Sequence, residues 1–145
     1  MIYLLLVAIA ASWFNTGFIW MVQLVHYPGF RLIDSQSSHG YHTFHMQAIT
    51  PLVWILIVVE MISNLGIVFE LGTDLKNLLP LIAFLILILI WTHTVVIAIP
   101  LHKKLTEEFD NQTIKRLIQT NWWRTIGWTI KSVLLSYTLF ELLSA

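Results

Sequence analysis

Two histidines three residues apart, in "GYHTFHMQAITP" (residues 40–51), are the first candidates for chemistry. His42 and His45 stand at i and i+3, so they share one face if that stretch is helical. Neutral imidazole ligates iron, copper and zinc, and it titrates near neutral pH. Such a pair can therefore bind a metal or carry a proton. Interfacial and hydrogen-bonding roles also account for it, because an H-x-x-H spacing alone has little specificity. The chain has no cysteine, which excludes disulfides, thiolate metal sites and thiol catalysis. Histidine is thus the leading candidate ligand, and His26, His93 and His102 complete the pool with His42 and His45.

A second constellation is Glu60, His93 and Lys131. All three stand inside long apolar runs, where an isolated charge costs on the order of 3 kcal/mol. They are candidates for a catalytic, proton or ion site. The alternative is a neutralised Glu60–Lys131 pair that only fastens helices. Arg124, in "NWWRTIGWT" (121–129), has a fork of donors. It could hold a carboxylate, a haem propionate or a substrate head group, or it could satisfy lipid phosphates beside a tryptophan belt.

These residues need elements to position them. The chain is 57% hydrophobic and 11% charged, with mean hydropathy +0.77. A soluble domain carries about 25% charged residues, so an integral membrane protein is expected. Formal net charge is zero, which gives no electrostatic reason to expect a nucleic-acid partner. Neither a P-loop nor a G-x-G-x-x-G fingerprint is present.

Four apolar segments are each long enough to cross a hydrocarbon core of about 30 Å. They cover about residues 2–26, 51–71, 78–100 and 122–143. Backbone polar groups in lipid must pair internally, so an all-α bundle of four transmembrane helices is expected, as one domain over 1–145. The first segment lacks a basic start and an A-x-A site, so it does not read as a cleaved signal peptide. Thr50-Pro51 reads as a helix start, Pro100 as a helix end and Asn121 as a cap. The stretch 101–120 reads as interfacial and helical, broken near Asp110-Asn111.

Arg31, Lys103, Lys104, Lys115, Arg116 and Arg124 fall on one side, and only Lys76 falls in the loop of the other. The positive-inside rule makes the first side cytoplasmic and puts both termini outside. That topology gathers all six histidines in the cytoplasmic half. Glu60 and Lys131 lie about 13 Å from their helix starts and His93 about 10 Å from Pro100, so the three are nearly level.

The set "VHYPGF", "YHTFH", "PLHKKL" and "NWWRT" resembles small uncharacterised bacterial four-helix membrane proteins over most of the chain. The resemblance implies the fold and a bacterial inner membrane, and it brings no activity. Membrane desaturases and hydroxylases also place histidine clusters at the cytoplasmic face, with more histidines and other spacings. The leading expectation is an iron-dependent redox protein, haem or non-haem, acting on a lipophilic substrate. The rivals are a binding or transport module for a small hydrophobic ligand, proton or metal ion, and an accessory subunit.

Overall fold

The computed structural model describes residues 2–34, 36–71 and 78–144. Lys76 and its loop lie outside the described residues. The described chain forms four helical spans: α1 (Ile2–Leu32), α2 (Ser38–Leu71), α3 (Leu78–Glu107) and α4 (Asn111–Ser144). Each is long and apolar enough to cross a membrane.

The helices extend well beyond the apolar runs. At 1.5 Å per residue, the 34 residues of α2 reach about 50 Å, against a hydrocarbon core of about 30 Å. Three expected boundaries are therefore corrected. Pro51 lies inside α2. Thr50 does not cap a helix there; its hydroxyl donates back to the Met46 carbonyl at 2.6 Å. Pro100 does not end the third helix, which runs on to Glu107. Asn121 lies ten residues inside α4, which begins at Asn111. Hydropathy marks where a helix crosses lipid, whereas backbone bonding continues into the interface.

The break expected near Asp110-Asn111 is present, between Glu107 and Asn111. Asp110 starts α4 by accepting the Thr113 N–H at 2.8 Å, as a capping carboxylate does. Asp34 does the same before α2, accepting the Gln36 and Ser37 N–H groups at 3.0 and 2.9 Å.

Two helices carry a π turn: Val22–His26 in α1 and Thr94–Ala98 in α3. Each closes one residue before a proline. Tyr27 N–H bonds to the Val22 carbonyl ahead of Pro28, and Ile99 N–H bonds to the Thr94 carbonyl ahead of Pro100. Proline removes an N–H and its ring crowds the carbonyl four residues back. The wider turn relieves that crowding without ending the helix.

α4 packs against both α1 and α3, α2 packs against α1, and α2 meets α3 more thinly. At Gly127 a side chain would come within 3.0 Å of Ile90, so α4 approaches α3 where no Cβ stands between them. The core has three levels. Leu5, Ala8, Ile67, Ala83 and Leu135 form one apolar cluster. Ile19, Val22, Tyr27, Phe30, Ile90, Leu101, Leu105, Ile114, Leu117 and Trp128 form another. Between them lies a polar layer that includes Ser12, Asn15, Thr16, Glu60, Lys131 and Ser132, all buried.

Candidate functional site

The histidines gather because three helices overrun the apolar core at the same end. α1 brings His26 at the end of its π turn, α2 brings His42 and His45 in its first turns, and α3 brings His102 just past Pro100. His42 is fully buried, and His45 and His102 nearly so. Phe30 packs edge-on against His26, His42 and His45, at 4.9, 5.8 and 5.5 Å between ring centres.

A directed hydrogen-bond chain runs through this cluster. Thr106 gives its single hydroxyl proton to the His102 carbonyl at 3.1 Å. It therefore accepts from His42 Nδ1, also at 3.1 Å. His42 Nε2 then accepts from His102 Nδ1 at 3.2 Å, and His102 Nε2 accepts from the Tyr27 hydroxyl at 2.9 Å. Neutral imidazole has one donor and one acceptor, so the chain is satisfied with every ring uncharged. His26 Nε2 and His45 Nδ1 form a separate pair at 2.9 Å. His39, exposed, lies with Nδ1 3.1 Å from the Thr106 carbonyl.

Beside the cluster, where α2 and α3 separate, lies a cavity of about 220 Å³. Its walls are mostly apolar, with Phe18, Val22, Ile49, Val53, Trp54 and Val95 among them. Tyr27, His45, His102 and Arg124 are polar residues of its lining. Trp54, Val95 and Ile99, on its rim, are exposed on the outer surface of the bundle.

Arg124 is buried, which corrects the reading in which it meets lipid phosphates at the surface. Its Nη1 donates to Asn121 Oδ1 at 3.1 Å, and Asn121 Nδ2 donates to Gln23 Oε1 at 2.8 Å. Gln23 Nε2 in turn donates to the Ile118 carbonyl at 3.2 Å. The guanidinium lies over the Trp128 ring, 5.4 Å from its centre.

Glu60 and Lys131 form a fully buried ion pair at 2.8 Å. Glu60 Oε1 also accepts from Ser12 at 3.3 Å, and Oε2 accepts from Trp128 Nε1 at 3.0 Å. Lys131 donates to Ser12 as well. The shared level of Glu60, Lys131 and His93 does not become a three-way contact. His93 makes no hydrogen bond to the pair, and both of its buried ring nitrogens lack a partner. It is also absent from the cavity wall, which α3 lines with its neighbour Thr94. Successive helical residues diverge by about 100°, so depth leaves direction open.

Outside the spans, two carboxyls are displaced from their ordinary range. Hydrogen bonds from Ser37 hold Asp34 low, and the Thr113 hydroxyl and N–H hold Asp110 low. Tyr27, Thr106, Gln23, Ser12 and Trp128 were not among the sequence candidates. The usable signal is a polar side chain inside an apolar run, which must face the bundle; Gln23 and Ser12 meet that description.

Comparison with protein-family models, curated proteins and solved structures finds no match for this chain.

Proposed function

We propose that the protein is a membrane-embedded site for a lipophilic small molecule, held in the cavity between α2 and α3. The observation that carries this reading is the cavity itself: apolar walls, a rim exposed on the outer face of the bundle, and polar groups of Tyr27, His45, His102 and Arg124. Mostly apolar pockets with a few convergent polar groups are the usual form of small-molecule sites. The hydrogen-bond chain from Tyr27 through His102 and His42 to Thr106 ties the cavity wall to the histidine end of the bundle. The test is quenching of cavity tryptophan fluorescence by brominated long-chain amphiphiles, with the protein in lipid nanodiscs. A saturable component is expected, and Ala98→Phe, which fills the cavity, removes it. Only unsaturable quenching, proportional to probe in the bilayer, defeats the reading.

A second reading keeps the metal. Two nitrogens on one ion at about 2.0–2.1 Å each stand about 3 Å apart. The His26–His45 and His42–His102 pairs, at 2.9 and 3.2 Å, are compatible with that spacing. Among the described residues no group of three or more His, Asp or Glu is arranged to hold an ion. Bound iron, haem or non-haem, would make the site a redox centre acting on the same lipophilic molecule. Metal analysis with a visible spectrum of the protein in mild detergent decides between the readings.

The proposed setting is a bacterial inner membrane with the histidine end in the cytoplasm and both termini outside. The Lys and Arg excess at that end supports it.

A further inference from the structure

The cavity holds a positive charge that the described residues do not answer. Arg124 is 7% exposed and lines the cavity. Ion pairs join Lys131 to Glu60 and Lys104 to Asp110. Among the described residues no carboxylate comes within ion-pair distance of Arg124. Asn121 accepts one guanidinium proton, while the buried Nε has no hydrogen-bond partner. Trp91, another lining residue, has a buried Nε1 that is likewise unpartnered. Both side chains pack on Trp128: Arg124 over its ring at 5.4 Å, Trp91 edge-on at 5.5 Å. One net positive charge and two buried, unpartnered donors thus belong to residues that line an apolar cavity, and no carboxylate among the described residues matches the charge. A buried guanidinium in that state is costly, and an anion that accepts its protons relieves the cost.

The surroundings narrow the class of anion. One guanidinium without a second cation beside it suits a single negative charge. The walls are apolar, and the rim residues Trp54, Val95 and Ile99 are exposed where lipid chains would lie. A molecule that enters from the bilayer side must therefore carry its charge on a long apolar body. From these features we infer that the occupant is a lipophilic carboxylic acid of the fatty-acid type, its carboxylate at Arg124 and its chain along the apolar wall toward the α2–α3 opening. This rests on the cavity being a site for a lipophilic molecule.

The experiment compares three brominated probes of one chain length: a fatty acid, the matching fatty alcohol and the matching methyl ester. Quenching is titrated in nanodiscs of phosphatidylcholine. The acid should bind about tenfold or more tighter than the alcohol or ester, the value of one charge-assisted hydrogen bond. Arg124→Gln should bring the acid down to the level of the alcohol, and Arg124→Lys should keep part of the preference. Equal binding of acid and alcohol by the native protein overturns the carboxylate while leaving the lipophilic site standing. A preference for acid that survives Arg124→Gln overturns the role of Arg124. Absence of saturable quenching by all three probes overturns the site itself. If Arg124→Gln fails to fold, the acid–alcohol comparison on the native chain and on Arg124→Lys decides alone.

Discussion

Lys131 reaches Glu60 across the bundle core, Nζ to Oε1 at 2.8 Å, with both side chains sealed from the surroundings. Every oxygen of the carboxylate is used, by Lys131, Ser12 and Trp128. Such a pair is strained by removal of either member, because the survivor keeps a buried charge. Glu60→Gln and Lys131→Met should each lower stability in detergent by about 3–5 kcal/mol. The double variant should recover part of the loss. Thermal unfolding followed by circular dichroism checks this, and additive losses would show that the two are uncoupled.

The histidine chain makes a different prediction. Tyr27→Phe removes the donor to His102 Nε2 and leaves that nitrogen buried without a partner. A loss of about 1–3 kcal/mol is expected, and an unchanged melting temperature would contradict the assigned bond.

For His42→Ala and His45→Ala, the metal content of the purified protein is the measurement that matters. Under the metal reading each substitution lowers bound metal while the chain still inserts in the membrane. Full occupancy in the double variant would remove this stretch from any metal site.

Sidedness can be read by labelling. Ser37→Cys and Asn111→Cys place a thiol at the histidine end of the bundle. Each should resist an impermeant maleimide in intact cells and react after permeabilisation. Reaction in intact cells would reverse the orientation.

Asp110 gives a pH signature. Its folded pKa lies below its ordinary value of 3.8, so its contribution is present above that value. The contribution is lost as pH falls from about 4 through the depressed folded pKa. The protection of the Thr113 amide against hydrogen exchange, relative to the free-chain rate at each pH, should fall over that acid range. Asp110→Asn should flatten the pH dependence, since an amide caps without titrating.

How much of this was legible in the sequence depends on the kind of information each residue carries. The four spans were readable because hydropathy over about 20 residues is a bulk property. The inward facing of Glu60 and Lys131 was readable too, since lipid exposure of a charge has a large cost. Helix ends were not, because Thr50, Pro51 and Asn121 use chemistry that also occurs inside helices. His93 shows the second limit. Its level followed from counting residues, while its direction depended on how α3 rotates beside a π turn. The cavity was invisible for a related reason: it exists where two helices separate, and no single segment encodes a gap.

The buried pair also has a consequence for how the chain is made. Lys131 follows Glu60 by 71 residues, and Trp128, the donor to the other carboxylate oxygen, belongs to the same final helix. A ribosome therefore delivers the acid two helices before its base. The last helix also supplies Ser136, Ser132 and Thr129, which meet Trp13, Thr16 and Trp20 of the first along one antiparallel seam. Synthesis of α4 is thus what supplies both partners, and a chain stopped after α3 would hold Glu60 without Lys131 or Trp128.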